Sequence, residues 1–211
     1  MTKEKEVVTS NQVEISGRVN SELEFSHEYL GKKFYIFFLA SDRLSETKDV
    51  IPVMVSERCK DIENVKKGNC VHIKGQFRSY SKQGKIRRHL ILYVFAKEIS
   101  LETDLLGEKR VNKIKLKGYV GKPVNYRKTP LGKDIADILL AVNRNNGKSD
   151  YIPCIAWRED AKQAEQFQVG DEIVVSGRVQ SREYYKELSE TEVEKRVAYE
   201  VSCKKLRKVN K

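Results

Sequence analysis

Shifted by 101 positions, the sequence falls on itself. Asn11 meets Asn112, Gly17 meets Gly118, Val19 meets Val120, and Leu30-Gly31-Lys32 meets Leu131-Gly132-Lys133. FFLASDR at 37–43 lies on ILLAVNR at 138–144, and Asp49, Ile51 and Pro52 lie on Asp150, Ile152 and Pro153. One inserted residue later, Gly68, Gly75 and Ser79 meet Gly170, Gly177 and Ser181. Solenoids stack at least three repeats of about 20–50 residues, so two units of about a hundred residues read as two duplicated domains. The expected division is residues 1–100, a polar linker LETDLLGEKRV at 101–111, and residues 112–211.

Each unit is predominantly β. VEISGRV (13–19) and IKLKGYV (114–120) alternate with period two, with a glycine where the strand bends sharply. YIFFLA and DILLAV follow, then VIPVMV and YIPCIA, then CVHIKGQF and EIVVSGRV, and last HLILYVFA and AYEVSCKKL. Between the third and fourth strands, REDAKQAEQFQVGD puts Ala161, Ala164 and Phe167 on one face of a helix stopped by Gly170. ERCKDIENVKKG holds the same place in the first unit, with Ile62 and Val65 as its apolar contacts. Five strands with a short helix between strands three and four are the layout of an OB-fold barrel, so the expected fold is all-β, two tandem barrels. An immunoglobulin-like sandwich is the structural alternative, but it uses about seven strands and no such helix.

The formal net charge of +11, from 41 Lys+Arg against 30 Asp+Glu, favours a polyanionic partner. The longest apolar run, FYIFFLA at 34–40, is far short of the roughly 20 residues a membrane span needs, and MTKEKEVVTSNQ carries no apolar signal core. A cytoplasmic, nucleoid-associated protein with no membrane partner is the expectation. Cys59, Cys70, Cys154 and Cys203 form no CxxC pair and lack histidines at ligand spacing, so they read as reduced core residues, and no metal or cofactor is expected. His27, His72 and His89 have no cysteine or serine partner at a motif spacing, and no Walker loop or HExxH occurs. The carboxylates of SETEVEKR read as a solvated hairpin. An enzyme is not expected.

In DYIPCIAW (150–157), successive side chains alternate between faces. Ile152, Cys154 and Ala156 suit a barrel interior, and Tyr151, Pro153, Ile155 and Trp157 project outward. The two rings, about 20 Å apart at strand rise, offer flat surfaces beside the cations Arg144, Arg158, Arg178 and Arg182. That pairing suits a single strand of nucleic acid, whose bases stack while its phosphates are neutralised; a duplex hides its base faces. The competing structural reading packs both rings under a loop or against the other domain.

These residues carry a family resemblance. NKIKLKGYVGKPVNYRKTPLGKDIADILLAVNR followed by DYIPCIAWREDAKQAEQFQVGDEIVVSGRVQSREY resembles the bacterial single-stranded DNA-binding proteins over most of 112–206, with TPLGK…ILLA.NR and GRVQSREY its more specific phrases. The first unit resembles the same pattern more weakly, as in two-OB proteins of Gram-positive bacteria. The resemblance implies stacking on Tyr151, Trp157 and Tyr184; a further aromatic expected after the second strand is missing, with Asn146 at about its place. In the first unit Val50 and Ser56 stand where the second has Tyr151 and Trp157, which leaves Tyr80 and the basic stretch FRSYSKQGKIRRH. There Arg78, Lys82, Lys85, Arg87 and Arg88 flank a hairpin turn at Gly84, either holding phosphate or protecting a strand edge. The final residues CKKLRKVNK are basic, so recruitment of replication or repair proteins through an acidic tip is not implied.

The expectation is therefore a protein of replication, repair or recombination that binds single-stranded DNA with little sequence preference. Tyr151, Trp157, Tyr184 and Tyr80 would stack, and Lys133 with the arginines would follow the phosphates. By analogy with four-barrel family members, a homodimer is expected. An RNA-binding OB protein and a primosome-type adaptor that binds protein partners are the alternatives.

Overall fold

The computed structural model describes residues 10–43, 45, 47–83, 88–102, 111–187 and 193–209, and leaves the side chains of 82–83 and 88–89 undescribed. The described residues form twelve strands. In the first half these are β1 (Asn11–Val19), β2 (Glu24–Tyr29), β3 (Lys32–Asp42), β4 (Lys48–Ser56), β5 (Cys70–Gln83) and β6 (Arg88–Leu101). In the second half they are β7 (Asn112–Val120), β8 (Asn125–Lys128), β9 (Asp134–Asn143), β10 (Ser149–Trp157), β11 (Glu172–Glu187) and β12 (Val193–Lys208). β1–β3–β4–β6–β5 closes back on β1, and β7–β9–β10–β12–β11 closes back on β7, with only β4–β6 and β10–β12 parallel. Each half is a closed five-stranded barrel with one added strand.

Each barrel has the expected five strands, and β2 and β8 are added at its edge. EFSHEY has every residue exposed, so no apolar alternation announces it. Its strand character comes from pairing with β3 through a tight turn in which Leu30 (φ 51°) and Gly31 (φ 66°) are both left-handed, the geometry that matches strand twist in a two-residue hairpin. The expected helices differ between halves. In the second, α1 (Glu159–Glu165) buries Ala161 and Ala164 and is followed by the buried Phe167. In the first, only a 3-10 turn forms at Ile62–Asn64, where Val65 is buried and Ile62 and Cys59 are partly buried against the core.

Four glycines kept in both halves mark where barrel strands cross most closely. A Cβ on Gly17 would meet the Ala40 carbonyl oxygen at 2.4 Å, and one on Gly118 the Ala141 oxygen at the same distance. At Gly75 and Gly177 the ladders shift register, and a Cβ would sit 2.1 Å from the carbonyl oxygens of Phe95 and Ser202. No side chain fits in either place.

The barrels join edge to edge. β1 pairs antiparallel with β7, and Val13 faces Ile114, its own counterpart in the repeat, so an approximate two-fold axis passes between them. The polar residues kept in the repeat sit around that axis. Asn11 bonds both the N–H and the carbonyl of Phe77, and Asn112 does the same to Val179. The Ser181 N–H donates to Asp49 Oδ1 at 2.7 Å, and the Ser79 N–H donates to Asp150 Oδ1 at 2.6 Å. Both carboxylates are 1% exposed, and each is gripped by an arginine of its own barrel: Arg43 holds Asp49 at 2.6 Å, and Arg144 holds Asp150. Those arginines also donate across the junction, to the Ser181 and Ser79 carbonyls. A charge buried this deeply persists only when it is paired and fully hydrogen-bonded. The crossed network thus ties the β11–β12 hairpin to β4 of the first barrel, and the β5–β6 hairpin to β10 of the second.

Candidate nucleic-acid interface

β10 presents the second barrel's outer face. Ile152, Cys154 and Ala156 are fully buried, and a hydrogen bond with Cys203 together with burial holds the Cys154 thiol well above its usual pKa. On the other side Tyr151 is 45% and Trp157 39% exposed. Ile155 departs from the expected pleat: it is on the outward set yet buried, leaving a patch between two separated rings. The ladders extend the face sideways. Tyr151 is opposite Ala141, which is itself opposite Tyr119, so a small residue lies between two exposed tyrosines. At the other end Trp157 is opposite Ile135, which is opposite Arg127, a cation held 3.1 Å from Asp137.

Tyr119 and Arg127 were missed by sequence reasoning. The signal for Tyr119 was present in IKLKGYV, where alternation places it outward with Lys113, Lys115 and Lys117. Arg127 lies on β8, the strand without an apolar pattern.

The cations sort into two groups. Arg158 and Lys133 are exposed, and Arg158 takes a left-handed φ of 54° directly after Trp157, its N–H donating to the Asp134 carbonyl at 2.9 Å. A non-glycine residue in that region is costly and persists only where its surroundings fix it, here through the Asp134 contact and the start of α1. Arg144, Arg178 and Arg78, assigned to phosphate from the sequence, have other engagements. Arg144 grips Asp150, which raises its pKa. Arg178 donates to Asp49 at 3.0 Å and to Gln180. Arg78 lies 3.9 Å over the Phe95 ring and bonds Gln76, and burial and the nearby Arg144 lower its pKa. All three serve the junction or the first barrel's packing, a role their positive charge alone does not reveal. Arg182 is shared between Glu200, at 3.3 Å, and the Tyr184 ring, 5.8 Å from its guanidinium.

Tyr184 is exposed and lies on β11 rather than on β10. It follows Ser181 by three residues on the hairpin locked to Asp49, which brings that arm to the first barrel. Tyr80 likewise follows Ser79, whose hydroxyl accepts from the Tyr151 N–H at 2.8 Å; its exposed ring rests 5.9 Å from that of Tyr93. Each hairpin arm belongs to its own barrel and reaches across to contact the other. Lys85 and Arg87 and the turn at Gly84 lie outside the described residues, as do the side chains of Lys82 and Arg88. The Asn146 loop bends back on itself, its side-chain oxygen accepting from the Lys148 N–H at 3.2 Å.

Comparison with known proteins fits this arrangement. Residues 111–209 match the Single-strand binding protein family. Single-stranded DNA-binding protein B of Bacillus subtilis is 36% identical over 83 residues, which cover 36% of this chain and 74% of that protein. The chain belongs to the single-strand binding protein family. Single-stranded DNA-binding protein 2 of Listeria innocua is 36% identical over 81 residues; this family member spans about half its length, 51%. The wild-type single-stranded DNA binding protein of Thermus aquaticus superposes over 95% of this chain and 93% of its own, with a TM-score of 0.71 at 22% identity, a likeness of fold. Family likeness by sequence is thus carried by the second barrel, while likeness of fold covers both.

Among the described residues, no group of three or more His, Cys, Asp or Glu side chains is placed to hold a metal, and no helix is long and apolar enough to cross a membrane.

Proposed function

We propose that the protein binds single-stranded DNA with little sequence preference, in replication, repair or recombination, and that residues 1–100 and 112–211 act as two docked domains joined by 101–111. The observation that carries this reading is the pair of exposed rings, Tyr151 and Trp157, on a β10 whose other side is buried to the last residue, with Tyr119, Arg127 and Arg158 on the same surface or next to it. Covering the exposed part of two such rings recovers a share of the roughly 1.5–3 kcal/mol that full burial of a large apolar side chain is worth, which favours an occupant. Unpaired bases stack on such rings whatever their identity, which gives affinity without sequence readout. The relatives named above are called single-stranded DNA-binding proteins. Assembly of two chains into a four-barrel homodimer belongs to the same proposal, and sedimentation at micromolar concentration tests it: a sole monomer contradicts it.

Equilibrium binding of oligo-dT, its duplex with oligo-dA, and oligo-U of equal length tests the function. Oligo-dT is expected to bind at least tenfold more tightly than the duplex. Equal affinity for duplex rules out stacking as the basis of binding, and a preference for oligo-U reassigns the protein to RNA.

A further inference from the structure

Among the places where the two barrels are unlike, one opens a cleft. In the second, a Cβ on Gly121 would lie 3.9 Å from the ring of Tyr151, whose N–H is held by Ser79 of the crossing β5–β6 hairpin. The corresponding residues of the first barrel are Asn20 and Val50, and the Val50 N–H is held by Ser181 of the β11–β12 hairpin at 3.1 Å. Valine cannot reach where the tyrosine ring reaches. In its place is a cleft of about 780 Å³, lined by Asn20, Phe38, Lys48, Arg182, Val197 and Tyr199 among others.

The lining has the character of a slot for a flat ring with a charged tail. Phe38 is 37% exposed although it lies between barrel strands, and Val197 is also exposed. Tyr199 packs on the core, and with Phe38, Val50 and Val197 it gives the cleft an apolar side. At the rim the Asn20 side chain is exposed and carries both a donor and an acceptor, Lys48 lies 3.6 Å from Asp42 and Arg182 3.3 Å from Glu200 with both cations more than half exposed, and Glu183, also at the rim, is paired with Lys195. The volume lies in the range of about 300–1,000 Å³ that encloses small ligands. Arg182 links the cleft to the stacking residues, since its guanidinium stands 5.8 Å from the Tyr184 ring on the same hairpin.

We infer that this cleft takes one unpaired nucleobase of the bound strand, inserted between Phe38 and Tyr199, with its phosphate at Arg182 and Lys48. The base occupies in the first barrel the space that the tyrosine ring fills in the second. The first barrel then contributes by enclosing a base rather than by displaying a ring. This inference rests on the single-stranded DNA reading above.

Photo-cross-linking of the full chain to oligo-dT carrying 5-iodouracil, with peptide mapping, tests it. Cross-links are expected at Phe38 or Tyr199 in addition to the rings of the second barrel. Phe38→Leu, which places there the residue found at the matching Leu139, is expected to lower the first-barrel cross-links severalfold and weaken oligo-dT binding about fivefold at an unchanged melting temperature. Cross-links confined to the second barrel, with oligo-dT still bound, overturn the cleft assignment and leave the broader function intact. Failure of oligo-dT to bind at all overturns both. The mapping on the unaltered protein decides the matter even if the variant is unstable.

Discussion

Ile51, Val53 and Val55 of β4 and Ile152, Cys154 and Ala156 of β10 are all buried, whereas the outward positions Val50 and Ser56 face solvent where Tyr151 and Trp157 do in the second barrel. The buried outward Ile155 has a buried counterpart in Met54, while Pro52 is buried where Pro153 is only partly so. The halves also keep the glycines at the strand crossings and the carboxylates at the junction. What both need to fold and dock has been retained, and what differs is the surface offered to a ligand. The charges differ too: Glu57 stands in the first barrel where Arg158 follows the tryptophan in the second, and its side chain turns back to accept from the Lys33 N–H at 3.1 Å.

The comparison can be broken most forcefully at the junction. Asp49→Ala strands Arg43, Arg178 and the Ser181 N–H, and Asp150→Ala strands Arg144 and the Ser79 N–H. Each is expected to cost about 3–5 kcal/mol in chemical denaturation, because removing one member of a buried pair leaves its partners uncompensated. A large loss from one and none from the other would show that the two-fold relation is only geometric.

The outer faces should separate the barrels next. Trp157→Ala is expected to weaken oligo-dT binding about tenfold, within the roughly 1–3 kcal/mol of a stacked base, while Ser56→Ala at the matching position leaves affinity unchanged. Equal effects of the two substitutions would place binding outside β10. The smallest effect concerns a single charge. Lys133→Ala is expected to reduce the slope of log affinity against log salt by about 0.7, the value for one phosphate contact on a single strand. An unchanged slope removes Lys133 from the path of the strand.

Most of the fold could be read from periodicity and self-comparison, because barrel interiors impose strict alternation and crossings demand glycine. β2 and β8 were not legible, since strands added outside the closed barrel have no strict inward alternation and leave no apolar trace. For the site, alternation sufficed to turn Tyr151 and Trp157 outward, but not to show that Ile155 is covered. The arginines were the harder case. Arg43 and Arg144 agree in the repeat along with Asp49, Asp150, Ser79 and Ser181, and agreement between halves with different outer faces is the mark of a shared structural task. Positive charge drew Arg144 toward phosphate when its company in the repeat pointed to the junction. The reach of the β11–β12 hairpin arm across to the first barrel, which carries Tyr184 with it, depends on contacts more than 130 residues apart in the chain and has no local signature.

The central claim concerns one ring, and the chain has a single tryptophan to report on it. Titrating the protein with oligo-dT while following Trp157 emission should give saturable quenching as bases cover the indole. Emission that stays constant while the oligonucleotide demonstrably binds would contradict a stacking role for this surface.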